Sequence, residues 1–249
     1  MTMCIEGSYF NKNKNSFCYT KLSELKTSSP IKNIKTMCRL SYNKLTNTMY
    51  LYKPTKIIDP NKINKNNKNI ISLDPGVRTF QTGYSNKGIY EFGKGSNKKI
   101  GFLIKKINSI CKRFRNRKKT RKTQTKLKHI VDELHWKTIK NLCDNFKTII
   151  LGKLSTKKVL MKHDLHSVVK NQLQYTRHYE FNERLKYKCN VRGNNYFYVD
   201  ESYTTKICGK CGCINEIGKK KLYNCLNCNL VIDRDVNSAR NILIKNFGI

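Results

Sequence analysis

Acidic residues are scarce. Only 16 Asp and Glu stand against 51 Lys and Arg in 249 residues, a formal net charge of +35. That imbalance argues against an ordinary enzyme of small metabolites. It points to a polyanionic partner, because each cation that neutralises a phosphate releases a condensed counterion. Long apolar runs are missing too: no stretch of about 18 apolar residues occurs, so a membrane span is not expected. The opening MTMCIEGSYFNKNKN carries no apolar segment of the signal-peptide kind, so an intracellular location, nucleus or cytoplasm, is expected. No internal repeat is present. Hydrophobic residues still reach 38% and aromatics 10%, enough to order a core despite the charge.

The 11 cysteines are odd in number, and without an export signal they do not read as a disulfide framework. Cys4, Cys18, Cys38, Cys111, Cys143 and Cys189 are scattered and read as small buried hydrophobes. The other five, Cys208, Cys211, Cys213, Cys225 and Cys228, fall within 21 residues. Cys208-x2-Cys211, 13 residues, then Cys225-x2-Cys228 is the spacing of two knuckle turns. Each knuckle presents two thiolates on one side of the backbone, and together they complete a tetrahedral Cys4 zinc site. Gly212 and Asn229, which follow the pairs, tolerate the positive φ such turns need. Four thiolates leave no open position, so the zinc is expected to be structural. Cys213 reads as a neighbour that could replace Cys211. His163 and His166 have ligand-like spacing but no partner pair, and read as ordinary polar residues.

Along the chain, Cys38–Pro54 alternates and turns at Asn43–Lys44, which predicts a hairpin, and the Lys/Asn-rich 56–69 reads as a linker. Asn69–Leu73, 77–85 and 88–93 predict three strands of a meander. The stretch 96–128 holds 14 Lys or Arg and no acid, with Leu103, Ile107, Ile110 and Phe114 on one helical face. Helical spacing continues through Leu127, Ile130, Leu134, Leu142 and Phe146. A buried strand follows at 147–155, a helix at 166–189, a strand at 195–201 and a last helix at 235–247. Three meandering strands followed by alternating helix and strand give an α/β, ribonuclease H-type mixed sheet as the expected fold.

Where acids are few, their positions are informative. Asp74 ends an apolar strand before a Pro-Gly turn, and Asp235 opens the last helix directly after the cysteines. Their plainer readings are a turn residue and a helix N-cap. LDPGVRTF (73–80), YTTKICGKCG (203–212) and DRDVNSARNIL (233–243) closely resemble three signatures of the TnpB and Fanzor proteins, encoded by mobile elements: the RuvC-I segment, the start of the zinc ribbon and RuvC-III. Weaker echoes lie in LHWKTIKNL (134–142) and YEFNERLKYKC (179–189). The resemblance covers roughly residues 68–249 in the family's order.

This resemblance implies an RNA-guided DNA endonuclease with a RuvC-like site using two Mg²⁺ or Mn²⁺ ions, and both DNA and a guide RNA as partners. By motif match Asp74 is the first catalytic carboxylate and Asp235 the third, with Asp233 a less favoured stand-in. The second carboxylate departs from the TnpB pattern: the family's Glu position on the strand is occupied here by Gly152, which cannot bind a cation. In Fanzor-like members the Glu comes instead from the segment before the ribbon, which corresponds to Glu201. The implied domains are a partial, wedge-like β segment with its linker at 1–67 and a nuclease core at 68–249. A basic helical insertion (96–146) and the ribbon (203–231) interrupt the core. Only about 67 residues precede the core, so N-terminal truncation is expected. Lys112, Arg113, Arg115, Arg117, Lys118, Lys119, Arg121 and Lys122 are the expected phosphate contacts, and the same run could act as a nuclear import signal. Tyr175, Tyr179 and Phe181, interleaved with Arg177 and Arg184, are candidates for base stacking but read more readily as core. The competing function is a non-catalytic, zinc-stabilised nucleic-acid-binding remnant, or a regulator of transposition.

Overall fold

The computed structural model describes residues 2–24, 26–28, 31, 34, 36–44, 47–55, 68–113, 116–161, 165–216, 218 and 220–248. It divides into two compact units, Met1–Ile57 and Ile58–Ile249. The predicted linker lies almost wholly outside the described residues.

The first unit contains strands β1 (Thr2–Ile5), β2 (Phe10–Asn11), β3 (Ser16–Phe17), the short helix α1 (Tyr19–Leu22), and strands β4 (Cys38–Asn43) and β5 (Thr48–Tyr52). The predicted hairpin pairs β4 with β5 from Arg39↔Tyr52 to Asn43↔Thr48, and β1 adds antiparallel to β4. Ile5, Phe17 and Cys38 form a small core, with Phe10 packed on Phe17 at 5.0 Å between ring centroids.

The second unit begins with the meander β6 (Ile70–Pro75), β7 (Gln81–Ser85) and β8 (Gly88–Phe92). Helices α2 (Ser96–Arg113) and α3 (Arg117–Asn145) lead to β9 (Thr148–Gly152), then α4 (Thr156–Leu160), α5 (Ser167–Thr176), α6 (His178–Arg192) and β10 (Asn195–Val199). A small hairpin, β11 (Leu222–Asn224) and β12 (Val231–Asp233), precedes α7 (Arg234–Phe247). The main sheet runs β10-β9-β6-β7-β8, with β6, β9 and β10 parallel and β7 antiparallel to both its neighbours.

Strand alternation gives the sheet two faces. Ile71, Leu73, Ile149 and Leu151 pack with Ile139, Leu142, Phe146, Phe181 and Leu185 of α3 and α6. On the other face Ile150 meets Ile242 and Leu243 of α7, and Ser72 Oγ donates to the Ala239 carbonyl at 2.7 Å. Ser72 and Asp74 therefore lie on the α7 side, at and just before the carboxyl end of the central strand.

Three expectations need correction. Of the six scattered cysteines, Cys38, Cys143 and Cys189 are buried, but Cys4, Cys18 and Cys111 are exposed. The basic segment is two helices, α2 and α3, packed through Ile100, Leu103, Ile104, Ile107, Leu127 and Val131, while Phe114 and Arg115 lie outside the described residues. The single helix expected over 166–189 is also two, separated at Arg177, whose backbone is left-handed at φ 50°. Ion pairs of Arg177 with Asp132 (2.8 Å) and Glu180 (2.6 Å) hold that corner.

Candidate functional site

The two cysteine pairs adopt matching knuckles. Gly212 N–H donates to the Cys208 carbonyl (2.9 Å) and Asn229 N–H to that of Cys225 (3.0 Å), with both residues left-handed (φ 77° and 54°). The Sγ atoms of Cys208, Cys211, Cys225 and Cys228 all lie within 4.8 Å of one another. The Cys208–Cys228 and Cys211–Cys225 sulfurs are 3.6 and 3.5 Å apart. A tetrahedral ion with metal–sulfur bonds of about 2.3 Å has edges of about 3.8 Å, whereas a disulfide needs about 2.05 Å. The donor set thus fits a metal ion. Cys213 is outside this set and contributes its carbonyl, which accepts from Cys208 N–H at 2.8 Å. His166 caps α5 by accepting from Val168 N–H (3.3 Å), and His163 lies outside the described residues.

The acids gather at one end of the sheet. Asp74 pairs across to Thr82 on β7. Burial first, then the charges of Glu201 and Asp235, push its carboxyl well above the usual carboxylate range, while a hydrogen bond from Ser238 and the charge of Arg234 oppose the rise. Glu201 follows β10, whose last residue, Val199, pairs with Gly152. Burial, with a contribution from Asp200, raises the Glu201 carboxyl to about 7. Its Oε2 is buried without a hydrogen-bond partner. A Cβ on Gly152 would meet that same Oε2 at 3.0 Å. The missing side chain on β9 thus leaves the space that the Glu201 carboxylate reaches from the neighbouring segment.

Asp235 sits in the first turn of α7, but the N-cap is Asp233, whose carboxylate accepts from Asp235 N–H at 2.9 Å. Capping therefore does not occupy the Asp235 side chain, which lies 3.6 Å from Arg234 Nε. Among the described residues, only the cysteines bring three or more ligand atoms within 4.8 Å of one another, so the three carboxylates are more widely spaced. Beside Asp235 opens a cleft of about 220 Å³ whose walls include Arg78, Lys94, Lys221 and Thr82.

Several side chains that sequence reasoning missed tie the acids to the cysteine loop. Asn237 Nδ2 donates to the Ile207 carbonyl (2.8 Å), and its Oδ1 accepts from Gly209 N–H (3.0 Å) inside the first knuckle. Asn241 Nδ2 donates to the carbonyls of Thr204 (2.8 Å) and Ile207 (2.6 Å). Thr204 Oγ1 contacts Ser238 Oγ at 3.0 Å and lies 2.8 Å from the Glu201 carbonyl. The available signal was the spacing of two asparagines four apart on the helix that carries Asp235.

Lys112, Arg117, Lys118, Lys119, Arg121 and Lys122 are exposed, and among the described residues none forms an ion pair. The side chain of Arg113 and all of Arg115 are outside the described set. Phe181 is buried, Tyr175 packs half-buried against the α2–α3 core, Tyr179 is exposed, and Arg177 and Arg184 are engaged by Asp132 and Glu180, so the five do not form a common stacking surface. No helix among the described residues is long and apolar enough to cross a membrane.

A mixed sheet in this order, with acids at the carboxyl ends of its parallel strands and a four-cysteine ribbon before the last helix, is a RuvC-like, ribonuclease H-type fold. Residues 178–242 match the Cas12f1-like, TNB domain family. A TnpB-like protein of Acanthamoeba polyphaga mimivirus is 34% identical over 255 residues, covering 96% of this chain and 48% of that one. The CRISPR-associated endodeoxyribonuclease Cas12f1 of Sulfoacidibacillus thermotolerans is 34% identical over 77 residues, 30% of this chain and 18% of that one. Among solved structures, the Cas12f1–sgRNA–target DNA complex matches with a TM-score of 0.55 at 17% identity, over 100% of this chain and 67% of that one. The chain belongs to the TnpB family. It spans about half the length of the curated viral relatives it matches.

Proposed function

We propose that this chain carries the cutting end of an RNA-guided DNA endonuclease, with Asp74, Glu201 and Asp235 as ligands of Mg²⁺ or Mn²⁺ and the four cysteines as a structural zinc site. The observation that carries the reading is the Glu201 carboxylate. It reaches the space over Gly152 with one oxygen buried and unpartnered, and it raises the neighbouring Asp74. Three carboxylates that repel one another at the end of a sheet are costly unless cations share them, and hard oxygen donors suit Mg²⁺ or Mn²⁺. Two such ions, when bound, activate a water and stabilise the departing oxygen of a phosphodiester.

The protein's own residues do the rest. Ser238 holds the Asp74 carboxylate, and Thr204 anchors the backbone of Glu201. Arg78, Lys94 and Lys221 line the cleft beside Asp235, where they would attract the phosphates of the strand to be cut. The exposed cations of α2 and α3 supply sequence-independent contacts for DNA or guide RNA. The solved Cas12f1 relative is an assembly with guide RNA and target DNA, which supports nucleic acids as partners.

The test is Mg²⁺-dependent DNA cutting by protein purified with its co-bound RNA, comparing wild type, Glu201→Gln and Asp74→Ala. Loss of cutting in both variants is expected, and undiminished cutting by Glu201→Gln would remove Glu201 from the site. The wider spacing of the three acids is the one observation that favours a nucleic-acid binder that does not cut. That reading predicts RNA and DNA binding with no Mg²⁺-dependent product.

A further inference from the structure

One cavity shares only Gly152 with the machinery described so far. It holds about 150 Å³ at the carboxyl ends of β6 and β9, with Pro75, Gln81, Gly152, Lys157, His178 and Tyr198 among its walls. Pro75 and Gln81 are opposite one another on the last rung of the β6–β7 pair, one residue beyond Asp74. Strand alternation places Gln81 on the α6 side of the sheet and Asp74 on the α7 side. The cavity and the carboxylates thus occupy the same end of the sheet from opposite faces.

Its walls carry an unexplained polar cost. Gln81 is fully buried, and neither Oε1 nor Nε2 has a hydrogen-bond partner. His178 is 6% exposed; its ring approaches the backbone of Gly76, but neither nitrogen makes a hydrogen bond of good geometry. A buried amide left unpaired is destabilising, because it has given up its hydrogen bonds to water and gained none in return. A strand position facing the helices is where an apolar residue would ordinarily sit, as Ile71 and Leu73 do. The space is about ten times the roughly 10–15 Å³ that one trapped water needs.

The chemistry of the walls narrows the ligand. Gln81 offers one donor group beside one acceptor, and a neutral imidazole offers one of each as well. Burial holds His178 far below its ordinary range, at about 3, so the ring is uncharged at physiological pH and selects no anion by charge. A planar, neutral group with alternating donors and acceptors on its edge meets this description, and a nucleobase is such a group. The aromatic ring of Tyr198, 42% exposed, gives it a face to rest on, and the exposed Lys157 suits an attached phosphate.

We propose that this cavity is a base pocket, which takes one unstacked nucleobase of the strand lying at the carboxylates and reads its edge with Gln81 and His178. The placement of that strand rests on the nuclease reading. The binding itself does not require cutting.

The experiment titrates the intact 249-residue chain, without added Mg²⁺, with the four deoxynucleoside 5′-monophosphates and with deoxyribose 5-phosphate. Ligand-observed NMR detects contact and calorimetry gives affinity. The abasic compound controls for phosphate attraction to a chain of +35. At least one base-bearing monophosphate is expected to bind tenfold or more tighter than the abasic one. Gln81→Leu is expected to remove that advantage, and Glu133→Ala, on the exposed face of α3, to keep it. Equal binding of all five compounds to wild type, or an advantage that survives Gln81→Leu, would overturn the proposal and leave a cluster of waters as the occupant. The wild-type comparison stands even if the Leu variant does not fold. The two readings also fail separately. Base preference without Asp74-dependent cutting would sink only the nuclease, and cutting without base preference would sink only the pocket.

Discussion

Adding one methyl group at Gly152 tests whether Glu201 supplies the second carboxylate. The new Cβ would lie 3.0 Å from Glu201 Oε2, 3.0 Å from Ile242 Cδ1 and 3.2 Å from the Leu73 carbonyl. Gly152 is not among the residues with positive φ, so Ala meets no backbone strain and gains about 0.4–1 kcal/mol from a less flexible unfolded chain. Overpacking costs about 1–3 kcal/mol. The Ile242 tip can rotate, but the Leu73 carbonyl belongs to the central strand and is fixed. The carboxylate oxygen has no partner to hold it and yields first. Gly152→Ala should therefore lower stability by only about 1–2 kcal/mol, yet weaken Mn²⁺ binding by at least tenfold, about 1.4 kcal/mol. Denaturant unfolding and Mn²⁺ titration by electron paramagnetic resonance read the two quantities. The double variant Gly152→Glu with Glu201→Ala, which returns an acid to the strand, should recover much of the affinity. If Gly152→Ala and Glu201→Gln both bind Mn²⁺ like wild type, the assignment of Glu201 is wrong.

Asn241→Leu removes two donations from one buried amide and strands the carbonyl of Thr204, while that of Ile207 keeps its donor on Asn237. A loss of roughly 2–4 kcal/mol is expected, with faster amide exchange across 204–209; unchanged exchange there would mean that the asparagine does not hold the ribbon. Stripping metal from the four cysteines should release close to one zinc per chain and unfold 203–231, because the binding energy of such sites, about 10–16 kcal/mol, is folding energy. A colorimetric zinc assay with circular dichroism checks this, and an unaltered spectrum after full chelation would contradict it. His178, stacked on Phe80 at 5.0 Å, stays neutral down to about 3, whereas in the unfolded chain it protonates below about 6.5. Its folded pKa is depressed, so the unfolded state binds the extra proton and stability is lost as pH falls below 6.5. Between pH 7.5 and pH 5 wild type should lose about 2 kcal/mol relative to His178→Leu, and a pH-independent difference between the two in urea unfolding would refute the burial argument.

What could be read from the sequence was what local spacing determines. The strand ending at Asp74, the meander after it and the two knuckles follow from residues that touch their near neighbours. The placement of Glu201 needed the family pattern, because only the pairing of Val199 with Gly152 brings the end of β10 beside β9. The break at Arg177 was illegible for a related reason. A left-handed arginine is stable there because Asp132, 45 residues earlier, receives its guanidinium. Exposure of Cys4, Cys18 and Cys111 likewise depends on which neighbours fold over them, and spacing carries no such information. Gln81 gave no sign either: a polar residue next to a loop reads as solvated until the pairing with Pro75 turns it inward.

The amide contacts between α7 and the first knuckle give the small cysteine-rich hairpin a second office. An acid borne on β9 would be held by the sheet alone, but one borne on the stalk of the ribbon shares the ribbon's fate. On the proposed reading, oxidising those thiols or removing their metal would displace Glu201 while the main sheet stayed folded.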